Sequence, residues 1–180
     1  MVYNGAPNRH LRAVSLAASE RLATGYRCIY LNSVPMIAGF RSYLAATGVD
    51  VEDALARASL ILSSQRPHLV NGGFDVTAML QSLDAEITRA LELGYAGLWA
   101  TGDMTWELGP GVAPEQLVEY ERGLEELFQR RPELAGVCQY HTETLPTAIV
   151  QTAMQVHPAL FINETLSLLN PYFVQPVASL

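Results

Sequence analysis

The chain has 180 residues, 49% of them hydrophobic, and its formal net charge at pH 7 is −7. These values predict one globular domain with a substantial core and exclude a disordered chain. All eleven basic residues are arginines. Because an acidic protein repels phosphate backbones, direct binding to nucleic acid is not expected.

The apolar stretches are interrupted well before the about 20 residues that a membrane-spanning helix needs. No charged segment followed by an apolar one marks a secretory signal, so we expect a cytoplasmic protein that does not enter a membrane. Cys28 and Cys138 lie far apart, each in an apolar run, which favours two reduced structural thiols. Because no Cys and His residues have the spacing of a zinc site, the sequence predicts neither a metal nor a cofactor.

The segment YNGAPNRHLRA (3–13) places turn-forming residues between a short first strand and a helix predicted at 10–24. This layout is similar to the phosphate-binding loop G-x-x-x-x-G-K-[ST], but the second glycine and the lysine are missing. The helix N-terminus still offers free N–H groups, and Arg9 and His10 are candidate contacts to an anion. ATP hydrolysis is not expected, because the chain has no lysine to bind the β and γ phosphates.

Predicted strands and helices alternate along the rest of the chain. Runs of β-forming residues predict strands at 27–33, 59–64, 95–101, 135–141 and 159–163. Helices are predicted at 35–47, from 50 onward, at 75–93, from 114 onward and at 144–156. The helix at 75–93 has the clearest apolar stripe, and Gly94 is placed to end it in a left-handed turn.

This alternation predicts an α/β fold with three layers, in which a mainly parallel sheet is covered by helices on both faces. We expect a single domain over residues 1–176, followed by a short tail at 177–180. Ligands of such sheets bind beyond the carboxyl ends of the strands. The candidate positions are therefore the strand ends at 3–8, 32–35, 63–66, 101–107 and 139–143.

Two carboxylates, Asp103 and Glu107, follow the strand predicted at 95–101. They are suited to holding magnesium or to acid–base chemistry. The alternative is a turn cap and a solvated side chain, and the spacing by itself favours that alternative. Trp106 either walls off a ligand or packs in the core.

Gln139 and Tyr140 lie where the strand predicted at 135–141 emerges from the sheet. Cys138 and His141 are three residues apart, so they face opposite sides of an extended strand and a Cys–His dyad is not expected. His157 precedes a proline and is interpreted as a histidine that finds its partner at a helix end.

Several stretches taken together resemble one family. They are GYRCIYLNS, NGGFDVTAML, GLWATGDMTWELG, LVEYERGLEELF, CQYHTETLP, QVHPALFIN and NPYF. Their order and spacing are similar to the MEDS domain, the sensory domain named for methanogens, methylotrophs and the dichloromethane-responsive regulator. The resemblance covers about residues 2–174. The chain departs from it at His141, where the family often has an aspartate.

The resemblance implies a fold related to the RecA and circadian-clock (KaiC) branch of P-loop ATPases, here without a functional Walker A motif. It also implies a sensor of small molecules such as simple hydrocarbon derivatives. Such domains work beside histidine kinases, transcription regulators with helix-turn-helix modules, or other signalling proteins.

We therefore predict a noncatalytic ligand-sensing domain of a prokaryotic signalling system, with its ligand at the carboxyl ends of the strands. The predicted ligand-binding residues are Asn8, Arg9, His10, Asp103, Trp106, Glu107, Gln139 and Tyr140. One alternative is a nucleotide-binding enzyme in which Asp103 or Glu107 holds magnesium and Arg9 replaces the lysine. Another is a module that docks a partner protein and binds no small ligand, which a closed crevice at the strand ends would favour.

Overall fold

The computed structural model describes residues 1–6, 8–70, 73–107, 113–157, 159–162 and 166–169. Within these ranges the strands are β1 (Val2–Tyr3), β2 (Arg27–Leu31), β3 (Leu60–Ser63), β4 (Leu69–Val70), β5 (Gly73–Phe74), β6 (Leu98–Asp103), β7 (Leu134–His141), β8 (Ala159–Ile162) and β9 (Leu166–Leu169). The helices are α1 (Leu11–Ala23), α2 (Val34–Ala46), α3 (Val51–Ala56), α4 (Val76–Glu92), α5 (Met104–Glu107), α6 (Pro114–Arg130) and α7 (Thr147–Val156).

The main sheet has the strand order β3-β2-β6-β7-β1-β8-β9. All neighbouring pairs from β3 to β8 are parallel, and β9 joins the edge antiparallel to β8. The strands β4 and β5 form a separate antiparallel hairpin. The sheet is thus mainly parallel, as the alternation of strands and helices predicts.

Each face of the sheet has its own hydrophobic core. On one face α1, α2 and α3 pack over β2, where Tyr30 stacks on Phe40 with 4.2 Å between ring centroids. On the other face α4, α6 and α7 contribute Ile87, Leu117 and Ile149, which are all fully buried. The predicted three-layer α/β class is therefore confirmed.

Helix α4 agrees closely with the helix predicted at 75–93. Asp75 caps its first turn by accepting a hydrogen bond from the Ala78 N–H at 2.9 Å. Gly94 follows its end with φ = +84°, the left-handed conformation that the sequence predicts there. The next strand is shifted from its predicted position of 95–101, because Tyr95 N–H turns back to the Ala90 carbonyl. At its other end, β6 stays paired with β7 as far as Asp103 and Gln139, so Asp103 is the last residue of the strand and does not lie beyond it.

Three strands, β4, β5 and β9, are not predicted from the sequence. The hairpin strands have two residues each, which is too short for a periodic pattern. Strand β9 depends on pairing with β8. Asn163, the end of the strand predicted at 159–163, lies outside the described residues. So do positions 170–180, which include the predicted domain end and tail.

Among the described residues, no helix is both long and apolar enough to span a bilayer.

We expect Ile87→Ala to lower the free energy of unfolding by about 2–5 kcal/mol, because it opens a cavity at a side chain that is fully buried under the sheet. The matched control is Leu91→Ala on the same helix, where the side chain is 39% exposed and the loss should be below about 1 kcal/mol. Urea titration of both variants measures the difference. Equal losses in the two variants would show that α4 does not bury the face that includes Ile87.

Candidate functional site

The order in which the chain adds strands to the sheet reverses between the neighbouring strands β1 and β7. The helix that follows β1 packs on one face, and the helix that follows β7 packs on the other. Such a switch point is where open parallel sheets bind ligands, at the carboxyl ends of the strands. The register places Tyr3 beside His141 and Asp103 beside Gln139 at this edge.

Five polar side chains at this edge form what we call the strand-end network: Tyr3, His10, Thr101, Asp103 and Gln139. The Tyr3 hydroxyl donates to Asp103 Oδ2 at 2.5 Å. Gln139 Nε2 donates to Thr101 Oγ1 at 2.7 Å, and Thr101 donates to the Val137 carbonyl at 2.6 Å. Each of the five is at most 5% exposed. These groups bind one another inside the protein, and the crevice is closed over them.

His10 enters this network from the loop before α1. Its Nε2 lies 2.6 Å from Gln139 Oε1, and its ring lies 3.9 Å from that of Tyr3. Since Oε1 only accepts, Nε2 carries the proton, and Nδ1 is buried without a hydrogen-bond partner among the described residues. Burial lowers the pKa of His10, because the charged imidazolium would lose its hydration.

The loop after β1 is fastened to the end of β7. His141 Nε2 lies 2.8 Å from the Gly5 carbonyl, and Glu143 Oε1 accepts from the Gly5 N–H at 3.1 Å. His141 Nδ1 is in turn 2.7 Å from Thr144 Oγ1. His141 therefore holds the loop after β1 in place.

The predicted site residues fall into separate groups. Asn8 and Arg9 are exposed in the loop, whereas His10, Asp103 and Gln139 lie in the buried strand-end network. Two further predicted site residues, Trp106 and Glu107, belong to α5. The structure describes their backbone but not their side chains.

Tyr140 points away from the strand-end network. Successive residues of a strand face opposite sides, so Tyr140 faces α6 while Gln139 faces α1. The Tyr140 hydroxyl donates to Glu121 Oε1 on α6. Cys138, two residues earlier, faces the same side as Tyr140 and is separated by the sheet from His141.

A cavity of about 300 Å³ lies on the Tyr140 side, between the sheet and the helices α4, α6 and α7. We call it the α6 cavity. Its wall is mostly apolar, with Met79, Leu83, Ala100, Leu124 and Phe128 among the lining residues. Its polar side chains include Glu121, Cys138 and His157.

Glu121 is the central polar group of this cavity. It is 5% exposed, and burial raises the pKa of its carboxyl group. Its Oε2 lies 3.5 Å from His157 Nε2, and burial also raises the pKa of Tyr140, which donates to Oε1. One ligand atom each of Glu121, Cys138 and His157 lies within 4.8 Å of the others.

Glu121 is not among the site residues predicted from the sequence, although a signal was present. The apolar stripe of α6 includes Leu117 and Leu124, and Glu121 is four residues after the first and three before the second. It therefore lies on the buried face of the helix. A carboxylate on a core-facing stripe needs a partner, which marks it as a candidate site residue.

The fold is that of a three-layer α/β domain whose sheet carries buried polar groups on both faces at its carboxyl edge. Residues 1–158 match the family described as MEthanogen/methylotroph, DcmR Sensory domain (MEDS). The chain therefore belongs to the MEDS family and is a sensory domain associated with signalling. No curated protein sequence matches the chain.

We expect His10 to contribute a decrease in the free energy of unfolding as the pH falls from about 7 to 5. Its folded pKa is lowered, so below about 6.5 the unfolded chain binds a proton that the folded chain does not. His10 contributes at most about 1.4 kcal/mol to this decrease per pH unit. Urea titrations across this range should show a smaller decrease for His10→Gln than for the parent. An equal decrease in both would contradict the assignment.

Proposed function

We propose that this domain is a noncatalytic sensor that binds a small, largely apolar molecule in the α6 cavity. In this proposal the bound state is passed to a signalling partner, such as a histidine kinase or a transcription regulator. The observation that carries the proposal is the cavity itself, whose wall is mostly apolar and includes a few polar groups. Small-ligand sites have this composition.

The size and chemistry of the cavity favour a particular class of ligand. At about 300 Å³ it is at the lower end of the range for small-molecule sites. The apolar side chains of Met79, Leu83 and Phe128 suit a short hydrocarbon part. Glu121 and His157 suit one polar group. A simple hydrocarbon derivative, such as a short alcohol or amine, meets both requirements.

The strand-end network supports a structural role for that edge. Its hydroxyl, carboxylate and amide groups already bind one another, so a ligand there would have to break buried hydrogen bonds, each costing about 1–3 kcal/mol. This differs from the ligand position that the sequence predicts. A closed strand-end crevice is also what a docking module would have, but the α6 cavity on the opposite face favours a small ligand.

The relation to RecA and KaiC also belongs to this proposal. Strand β1 lies inside a parallel sheet and leads through a short loop into α1, the order of a phosphate-binding loop. His10 turns into the protein toward Gln139, and Arg9 stays exposed. This arrangement supports a loop that keeps the ancestral path of the chain and does not hydrolyse nucleotides.

The route from the cavity to a partner passes through α7 in this proposal. His157 directly follows the end of α7 and lines the cavity, and β8 begins two residues later. A ligand that moves His157 therefore acts on the connection to the edge strands β8 and β9.

We expect a panel of short-chain alcohols, amines and chlorinated alkanes to contain at least one compound that raises the melting temperature. At 100 times its Kd a ligand stabilises the fold by about 2.7 kcal/mol. Ala100→Leu fills the cavity from the sheet side and should abolish the shift, and Ala100→Val should reduce it. The matched control is Ala45→Leu, at an exposed position of α2, which should keep the full shift.

The readout is thermal unfolding together with circular dichroism, which verifies that each variant is folded. A ligand that stabilises Ala100→Leu as much as the parent would place the site elsewhere. A panel without any stabilising compound would count against a small hydrocarbon derivative.

We expect no magnesium-dependent release of phosphate from ATP above a protein-free blank. The reasons are the absence of lysine and the engagement of Asp103 with Tyr3. A phosphate-release assay of the parent, Arg9→Ala and Asp103→Asn tests this. Turnover in the parent that disappears in either variant would establish the nucleotide-binding alternative.

A further inference from the structure

Three side chains that are remote in sequence meet at one end of the α6 cavity. Glu121 comes from α6, Cys138 from β7 and His157 from the residue after α7. Their ligand atoms lie within 4.8 Å of one another. Carboxylate oxygen, thiolate sulfur and imidazole nitrogen are the three donor types that zinc binds in proteins.

The hydrogen bonds around these side chains orient them as in a metal site. His157 Nδ1 lies 2.8 Å from the Ala153 carbonyl, which can only accept, so Nδ1 carries the proton. In the neutral imidazole the lone pair is then on Nε2, the atom that faces Glu121. Tyr140 holds the other carboxylate oxygen of Glu121. Metal-binding histidines and carboxylates are usually fixed by outer partners of this kind.

The spacing between two of the donor atoms also fits, and the Cys138 sulfur has to approach them by a rotation of its side chain. His157 Nε2 and Glu121 Oε2 are 3.5 Å apart. With bonds of about 2.0–2.2 Å, two such ligands of a tetrahedral zinc lie roughly 3.3–3.5 Å apart. We propose that Glu121, Cys138 and His157 bind a divalent transition-metal ion, with zinc as the best match.

The charges balance in this arrangement. A zinc ion carries two positive charges, and Glu121 and the Cys138 thiolate carry one negative charge each, while His157 stays neutral. On binding, the Cys138 thiol releases its proton to solvent. The ion adds its positive charge to the hydrogen bond from Tyr140 in compensating the buried Glu121 carboxylate.

Three protein ligands leave the fourth position of a tetrahedral ion open, as in zinc sites that bind a further ligand. In the α6 cavity that position is available to the oxygen, nitrogen or sulfur of a small molecule. This last step rests on the proposed function. Metal binding itself does not, because it requires only the three side chains.

The test uses the full chain after treatment with a chelator, titrated with Zn²⁺ and separately with Co²⁺ as a spectroscopic probe. We expect one ion per chain and, with Co²⁺, the charge-transfer absorption of a thiolate ligand. Cys138→Ser and Cys138→Ala should lose this absorption. Glu121→Gln and His157→Gln should weaken Zn²⁺ binding at least about tenfold. The control is Cys28→Ser, on the opposite face beside the Ala18 carbonyl, which should behave as the parent.

Circular dichroism of the metal-free variants verifies that they are folded. If one of the two Cys138 variants is unfolded, the other one is used. Binding without the thiolate absorption, or binding that persists unchanged in both Cys138 variants, means an adventitious ion only and overturns the proposal. Absence of stoichiometric binding to the parent also overturns it.

The failure of the metal site and the failure of the sensor are distinguishable. If the parent binds no zinc but the ligand panel still stabilises it through the α6 cavity, the metal proposal falls and the sensor stands. If zinc binds but no compound stabilises the zinc-loaded chain, the metal site stands and the proposed ligand class falls.

Discussion

The alternation of side chains along β7 is the constraint on which both buried polar regions depend. Gln139 and His141 face α1, and Cys138 and Tyr140 face α6. Strand β7 lies inside the sheet between β6 and β1, and helices cover both of its faces. Its polar side chains therefore cannot turn into water, and each has to find a partner from another element.

The two faces meet this requirement differently. On the α1 face, most donors and acceptors are paired, as in the bond from Tyr3 to Asp103, and His10 Nδ1 is an exception. On the α6 face, Glu121 Oε2 and His157 Nε2 lie 3.5 Å apart beside a cavity. A closed network stabilises a fixed geometry, whereas metal-binding side chains that converge next to free volume can receive an added cation or ligand. The functional proposals for this MEDS domain follow from that difference.

The α6 cavity is lined by His157, which lies two residues before β8 and therefore close in sequence to the antiparallel edge of the sheet. Helix α7 ends at His157, and the chain continues into β8 and then the antiparallel β9. In the proposed sensor, a change around His157 is carried to this edge of the sheet without disturbing the β2–β6–β7 centre. The strand-end network, on the opposite face, would remain intact during such a change.

The sequence by itself determined the elements whose signals are local. The stripe of α4, the left-handed Gly94 and the strand–helix alternation predict the three-layer fold because each depends on near neighbours in the chain. The same reasoning places Asp103 and Gln139 at one edge, and the register confirms that they are adjacent.

Only the tertiary structure decided which polar groups meet. Tyr140 and Gln139 are neighbours in sequence but lie on opposite faces. Glu121, Cys138 and His157 meet although any two of them are at least 17 positions apart in the sequence. The sequence shows no zinc-site spacing, because the donors of the proposed site come from a helix, a strand and a helix end. Their convergence depends on how α6 and α7 pack over β7, and that packing is non-local.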